Sequence, residues 1–305
     1  MSFFRADSAR VSSRRQFVAA ALAAGVCVPF ARLHALARWG AVRPLWTARK
    51  KGRLIYIVGE TLPRASDWHD PAVEGLLGHC GRLWTETNQI FRRPAKALVE
   101  QFGTTIDSAP LKLLSRTQMS RVREATTSCG VSFDDLAGMR PWVIGATLED
   151  AFYAKAGLTG KSAREVLLDR ATAAGIPLSS EFATKDDVIT WMGGFTPTED
   201  AQFLCYEVDG ILLGRQGADQ MSGAWLAGDT GPAAAFLDHE RQTYPELYVT
   251  LTVDRNRAWM PRMESMLLDP KPTMVIIGMY HLVGPDNVLT LLRRAGYDVT
   301  QGLSE

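Results

Sequence analysis

Two stretches at opposite ends of the sequence repeat one order of features, and this repeat constrains the fold more than any other part of the chain. In the first, the apolar run "LIYIV" ends at Gly59, and apolar residues then recur at helical spacing. In the second, "MVII" ends at Gly278, and the same spacing follows. The two helix faces correspond at a constant offset of 215 residues, for example Val73 with Val288. Each stretch therefore predicts a strand, a loop, a helix and a second strand. Asp70-Pro71 reads as the N-cap and first residue of the first helix, and Pro285-Asp286 as the start of the second helix.

This repeat predicts an α/β fold. We expect two pseudo-symmetric strand–loop–helix–strand units, one at each end of the chain, to form the core of a mixed or parallel sheet. The loops that follow parallel strands gather at one edge of such a sheet, where binding sites form. A chance echo is the alternative, because all units of this kind share the same order of elements.

The rest of the chain reads mainly as helices between these two units. We expect a single domain over residues 38–305, with its core in residues 52–90 and 272–302. The largely helical insertion then covers about residues 91–268, with one short strand that runs towards Glu181.

The N-terminus reads as an export signal. Residues 1–37 combine a basic start, an apolar middle and the small-residue ending Ala-Leu-Ala. The "SRRQFV" of residues 13–18 resembles the twin-arginine motif, so we expect export to the periplasm and a mature chain from Arg38. The apolar stretch is shorter than the ~20 residues of a spanning helix, so we expect no stable membrane span after cleavage.

Charge argues against a nucleic-acid partner. The chain holds 34 basic and 33 acidic residues, but five Arg and one Asp fall in residues 1–37. The remainder, with 29 basic and 32 acidic residues, is slightly acidic. A protein whose main partner is a phosphate backbone carries an excess of basic residues.

Well-known catalytic motifs are missing. The sequence has no G-x-S-x-G, H-E-x-x-H, Walker lysine loop or G-x-G-x-x-G, which excludes the common hydrolase and nucleotide-binding patterns. The three cysteines beyond the signal, Cys80, Cys129 and Cys205, lack C-x-x-C spacing, so buried thiols are expected rather than a zinc or disulfide framework.

Polar residues follow or end the predicted strands of both units. His281 lies three residues after Gly278; its alternative role is to cap the following helix. Glu86 ends a predicted strand, where it could act as a metal ligand or general base. The alternative is an exposed carboxylate at an edge of the sheet. Glu60 is either a ligand or an acceptor for backbone N–H groups. At the position that corresponds to His281, the first unit has Leu62.

These motifs and their order resemble the TraB/GumN family, which is related to the Tiki proteins and more distantly to the erythromycin esterase and ChaN-like group. The C-terminal "GMYHLVGPDNVLTLLRRAGYDV" and the central "GMRPWVIGATL" carry much of the resemblance, which covers most of residues 52–300. Further family positions match Glu86, Glu181, Asp229, Arg255 and Asn256.

The resemblance implies a divalent metal, held by two histidines and carboxylates, that activates water to hydrolyse a peptide or small-molecule substrate, as in the Tiki proteases. Here the first G-x-x-H reads "GETL", so one ligand is lost, and Glu60, Glu86 and His281 are the ligands left to expect. A carboxylate-rich set favours Mn²⁺ or Mg²⁺ over zinc. Glu86, His281 and Arg255 are the expected catalytic residues. Arg255 either stabilises an oxyanion or forms a structural ion pair with Glu86 or Glu181.

Loss of the first histidine supports a second interpretation. In it, the chain is a non-catalytic binding or regulatory protein that kept the fold and lost the metal site through Leu62. A shared fold does not by itself specify a reaction.

Overall fold

A computed structural model describes residues 44–105 and 109–302. The predicted export signal, residues 1–37, lies outside these described residues.

Six strands form one mixed sheet in the order β4–β3–β5–β2–β1–β6. The strands are β1 Leu45–Lys50, β2 Arg53–Glu60, β3 Arg82–Thr87, β4 Leu178–Phe182, β5 Thr273–Gly278 and β6 Asp298–Gln301. Strands β2, β5, β3 and β4 pair in parallel, and β1 is antiparallel to both of its neighbours. The predicted α/β class with a mixed sheet is therefore confirmed.

The remaining regular structure is helical and lies mostly between β3 and β5. The helices are α1 Pro71–Leu77, α2 Ala95–Phe102, α3 Ala109–Lys112, α4 Arg116–Cys129, α5 Pro141–Ala156, α6 Ala163–Ala173, α7 Lys185–Gly193, α8 Pro197–Leu212, α9 Gly214–Leu226, α10 Gly231–Thr243, α11 Pro245–Tyr248, α12 Asp254–Met266 and α13 Val288–Arg294. A π-helical turn, Val249–Val253, leads directly into α12. A 3-10 turn, Met279–His281, follows β5. In residues 44–105 and 109–302, no helix combines the length and apolarity that a membrane crossing requires.

Both predicted units are present, as β2–α1–β3 and β5–α13–β6. They differ in how far each crosses the sheet. One strand, β5, separates β2 from β3, whereas β2 and β1 both separate β5 from β6. The cause is β1, which precedes the first unit and was not expected from the sequence. It inserts antiparallel between β2 and β6 and displaces β6 to the edge.

The two unit helices begin differently from each other. Asp70 caps α1 as expected, because its side chain accepts hydrogen bonds from the first backbone N–H groups. The second helix was expected to start at Pro285, and that prediction is wrong by about one turn. Asn287 is the N-cap, with Oδ1 accepting the Thr290 N–H at 2.8 Å. The side chain of Asp286 instead accepts a hydrogen bond from the Tyr248 hydroxyl.

The sheet is covered on both faces. Because side chains alternate along a strand, Ile55 and Ile57 face a cluster that includes Trp259 of α12 and Leu292 of α13. Val58 faces the opposite side and packs in the cluster that holds residues of α1 and α6. Two further buried clusters lie among the helices and share α5, which is buried nearly all round. This helical body lies beyond the ends of the parallel strands and forms a cavity with them.

Candidate functional site

The carboxyl ends of the parallel strands lie side by side. Glu60, the last residue of β2, is in register with Gly278, the last residue of β5. Glu86, near the end of β3, accepts a hydrogen bond from the Gly278 N–H at 2.8 Å through its Oε1. Both glutamates are buried. We call these carboxyl ends of the parallel strands the strand edge. The carboxylates there are shielded from solvent, so each needs a partner.

Arg255 of α12 is the partner of Glu86. Its Nη2 donates to Glu86 Oε2 and to Glu181 Oε2, each at 2.6 Å. Its Nε donates to the two Glu181 oxygens at 3.2 and 3.1 Å. One guanidinium thus binds two carboxylates. The rings of Phe182, Trp191 and Trp259 surround it, with centroids 5.1–5.8 Å from Cζ.

These contacts set the charge of each group. Burial alone would raise the pKa of Glu86, but the Arg255 guanidinium outweighs it and, with His281 and the Gly278 N–H, holds that pKa well below its usual range. Burial would lower the pKa of Arg255, but Glu86 and Glu181 raise it instead. Glu86 and Arg255 are therefore an ionised pair.

His281 is held neutral, in one tautomer. Its Nδ1 lies 2.7 Å from Asn256 Oδ1, and Asn256 Nδ2 donates to the Asp286 carbonyl at 2.9 Å. Because the Asn256 amide is oriented by that second bond, Nδ1 of His281 carries the proton and Nε2 is the acceptor. Nε2 faces Arg255 Nη1 at 3.4 Å and Glu86 Oε2 at 3.8 Å. Burial lowers the pKa of His281 to about 3; Glu86 opposes this effect and Arg255 adds to it.

Gly59, which ends the first apolar run, is required by packing. A Cβ on Gly59 would lie 2.4 Å from Trp225 Cζ2, so no larger residue fits. Leu62 is partly buried and packs against the core cluster on that face of the sheet. Glu60 is paired with a residue of α6: Arg164 Nη2 lies 3.0 Å from its Oε2, and the Arg164 N–H donates to Oε1 at 3.3 Å.

The donor set does not fit a divalent metal. The carboxylates expected as ligands, Glu60 and Glu86, are each bound by a guanidinium, and His281 Nε2 faces Arg255. A dication at that nitrogen would lie next to a fixed positive charge, which Coulomb repulsion opposes. In the described ranges 44–105 and 109–302, no three His, Cys, Asp or Glu side chains are grouped as a metal ion requires.

The other residues that the family resemblance singled out, Glu181, Asp229 and Asn256, do not all lie at the site. Glu181 and Asn256 belong to the site, as partners of Arg255 and His281 respectively. Asp229 lies elsewhere, on an exposed loop, where it accepts the Gly231 N–H at the start of α10. It does not line the cavity.

A cavity of about 490 Å³ opens onto the strand ends, and Glu60, Glu86, Arg255 and His281 lie in its wall. Aromatic side chains form much of the remaining wall, among them Phe152, Tyr153, Phe203, Tyr206, Phe236 and Tyr280. Leu213, just after α8, and Phe91, between β3 and α2, also line the cavity and are exposed.

Sequence reasoning missed three buried carboxylates in this wall, Glu149, Glu207 and Glu240, and the partner arginine Arg164. A signal was present for Glu207. The cavity-lining residues of α8 recur at helical spacing, at positions 203, 206, 207, 210 and 213, and Glu207 lies within that mostly apolar face. A carboxylate on an apolar helix face points to a buried polar site.

A sequence model of the TraB/PrgY/gumN family matches residues 44–301, which is most of the chain. Searches of curated proteins and of solved structures found no significant match.

Proposed function

The chain belongs to the TraB/PrgY/gumN family, and from that premise we propose that it is a member that binds a short peptide or small organic molecule without a metal ion. One observation carries this proposal. Both buried carboxylates expected to hold a metal, Glu60 and Glu86, are neutralised by the buried guanidinium groups of Arg164 and Arg255. These internal cations supply the positive charge that a metal would bring.

The cavity beside these pairs supports a binding role. Its volume of about 490 Å³ lies within the range of about 300–1,000 Å³ that is typical of ligand pockets. Its floor of ion pairs is fixed by bonds within the protein, and its walls are largely aromatic. Such a preformed cavity loses little entropy when a ligand enters it.

Metal content provides the first test. The full-length chain is purified with its own N-terminal segment, exposed to Mn²⁺, Mg²⁺ and Zn²⁺, dialysed, and measured by mass spectrometry beside His281→Ala. We expect no stoichiometric metal in either protein. One equivalent in the wild type that is lost in His281→Ala would overturn the proposal.

Ligand retention provides the second test. A mixture of synthetic di- to tetrapeptides and small amines, acids and sugars is dialysed against the protein, and retained compounds are identified by mass spectrometry. Gly210 lines the cavity, and a Cβ there meets no atom within 4 Å, so Gly210→Trp places a ring in the cavity. We expect a retained compound in the wild type and in the control Gly75→Trp, which places the ring on the exposed face of α1. Retention that is absent, or unchanged by Gly210→Trp, would contradict the proposal.

A metal-dependent hydrolase, with a peptide among its substrates, is the second candidate. The observation that favours it is the Asn256–His281 hydrogen bond, which leaves Nε2 unprotonated, as metal-binding histidines require. This candidate requires Arg255 to move away from Nε2. The metal measurement described above separates the two functions.

We also propose that the protein works in the periplasm. The support is the "SRRQFV" motif and the Ala-Leu-Ala ending of residues 1–37. Replacement of Arg14 and Arg15 by Lys, with cell fractionation, tests this. We expect the variant to stay in the cytoplasm; an unchanged distribution would contradict export by that route.

A further inference from the structure

Three buried carboxylates line the cavity on helices of the central insertion rather than at strand ends. Glu149 lies on α5, Glu207 on α8 and Glu240 on α10. We call these three residues the acidic wall. All are at least nine-tenths buried, with exposed fractions of 5%, 9% and 3%. None of them takes part in the ion pairs of the strand edge.

Glu240 has no partner of its own within residues 44–105 and 109–302. No hydrogen bond or ion pair of its carboxyl group is found there, and burial raises its pKa to about 8. Burial also raises the pKa of Glu207, and the nearby Glu149 and Glu240 raise it further. A buried carboxyl without a partner destabilises a fold, so packing does not explain its presence.

The surroundings of the acidic wall are aromatic. The Tyr206 and Phe236 rings lie 5.6 Å apart, and Phe236 stacks on Tyr280 at 5.4 Å. All three rings line the cavity. The faces of aromatic rings attract organic cations, and carboxylates beside them complete the charge balance.

A metal ion is a poorer match for this wall than an organic cation. The described residues contain no group of three carboxylate, histidine or cysteine side chains close enough to hold a metal, so these carboxylates do not converge on one point. Carboxylates spread around a cavity of about 490 Å³ suit a ligand that carries its charge on a larger organic frame. The basic residues at the strand edge, Arg164 and Arg255, are already engaged by Glu60, Glu86 and Glu181.

We propose that the acidic wall binds the ammonium group of an organic amine, either a free amine or the amino terminus of a short peptide. This inference rests on the proposed binding function and specifies its ligand class. Glu207 of α8 and Glu240 of α10, which interact with each other, face the ammonium group. The Tyr206, Phe236 and Tyr280 rings contact the carbon atoms next to it.

Calorimetry with matched probes tests the inference. n-Hexylamine is compared with the neutral n-hexanol and the anionic hexanoate on the full-length chain. Tetra-alanine amide is compared with its N-acetylated form. We expect hexylamine to bind about tenfold or more tightly than hexanol, as charge-assisted hydrogen bonds imply. Tighter binding of the free peptide than of the acetylated one identifies the amino terminus of a peptide as a ligand; preference for hexylamine alone identifies free amines.

Two variants locate the site. Glu240→Gln and Glu207→Gln keep the side-chain shape but cannot ionise, so both are expected to fold, which thermal unfolding verifies. We expect each to weaken hexylamine binding about tenfold and to leave hexanol binding unchanged. Glu246→Gln, on the exposed surface of α11, is the control and should bind as the wild type does.

The two proposals fail in different ways. Amine binding that is no tighter than alcohol binding, or that persists in both acidic-wall variants, overturns the inference. If the dialysis experiment still retains a ligand in that case, the binding function stands. Stoichiometric metal lost in His281→Ala overturns the binding function instead.

Discussion

Arg255 sets the charge balance of the strand edge, because its guanidinium binds both Glu86 and Glu181. We predict that Arg255→Met destabilises the protein by about 3–5 kcal/mol, since it leaves buried carboxylates without their cation. Urea unfolding at pH 7 measures the change. In this variant burial would raise the pKa of Glu86 in the folded protein. The folded state would then keep its proton above pH ~4, where the same glutamate ionises in the unfolded chain, so stability should decline as the pH rises.

Two further variants test this explanation. Arg262→Met removes an exposed arginine of the same helix and should change stability by less than about 0.5 kcal/mol. Adding Glu86→Gln to Arg255→Met should recover part of the loss, because one unpaired charge disappears. An Arg255→Met protein as stable as the wild type would show that solvent or another group satisfies both carboxylates.

His281 should make the protein sensitive to acid. Its pKa in the folded protein is about 3, whereas an unfolded histidine binds a proton below ~6.5. The unfolded state therefore binds more protons between these values, and stability falls as pH falls through that window. We predict that this residue contributes a slope of about 1 kcal/mol per pH unit near pH 5.5. Urea unfolding of the wild type and His281→Asn between pH 4.5 and 7 measures it.

The slope should become shallower in His281→Asn and stay unchanged in His79→Asn, which alters an exposed histidine. Part of the wild-type slope belongs to Glu86, whose lowered pKa acts in the same direction at lower pH. Equal slopes in all three proteins would mean that folded His281 takes up a proton in this range.

The sequence predicted which side chains matter at the strand edge better than it predicted their bonds. Glu86, Arg255, Glu181 and His281 were all named, and the structure brings them together. An ion pair with Glu86 or Glu181 was one alternative for Arg255; pairing with both at once depends on where α12 meets the sheet. Arg164 carried no signal, since nothing near it in sequence marks it as the partner of Glu60.

At the scale of elements, a buried ion pair joins helices of the central insertion. Asp200 of α8 is fully buried and accepts hydrogen bonds from Arg140 Nε and the Trp142 N–H, each at 2.8 Å. The Arg140 guanidinium also donates to the carbonyl of Gly193, which ends α7, and to the carbonyl of Phe195, which follows that helix. This pair therefore fixes the start of α5 against α7 and α8.

We predict that Asp200→Ala destabilises the protein by about 3 kcal/mol, because it leaves a mostly buried guanidinium without its counter-charge. The matched control is Asp238→Ala, which removes an exposed helical ion pair with Arg241 and should cost less than about 0.5 kcal/mol. Chemical unfolding measures both. Equal effects of the two substitutions would show that the Asp200 pair does not hold the helices together.

Elements with a strong local pattern were predictable, and those fixed by distant contacts were not. Asp70 and Pro71 mark the start of α1 in the sequence and in the structure, because capping is a local interaction. The late start of α13 depends on Tyr248, which holds the side chain of Asp286. Strand β1 was not expected from the sequence although its pairing with β2 is local: the two-residue turn Lys51-Gly52, in which both residues have positive φ, joins the two strands.

At the scale of the whole molecule, the cavity exists because helices far apart in the sequence meet above the strand ends. The acidic wall combines α5, α8 and α10, and no short motif connects them. The repeat at the chain ends predicted the sheet edge. It contains no information about the helices that face that edge, so the ligand class could be inferred only from the structure.

Binding of an amine should release protons from this wall. In the free protein burial raises the pKa of Glu240 to about 8, so this carboxyl group holds a proton at pH 7. Burial also raises the pKa of Glu207 above its usual range. An ammonium ion favours their ionised forms. Affinity should therefore rise with pH up to about 8 and fall above ~10, where the amine loses its own proton. The titratable groups that interact with Glu240 are Glu207, Tyr206, Tyr248 and Tyr280.

Calorimetry of hexylamine binding at pH 7, in phosphate and in HEPES buffer, measures the proton count from the difference in apparent enthalpy. We predict net release of about one proton per bound amine, and less in Glu240→Gln. Hexyltrimethylammonium has no proton to lose, so its binding should release the same number of protons. That result would identify the protein as the source of the protons. Equal enthalpies in the two buffers would mean that the carboxyl groups do not change protonation when the ligand binds.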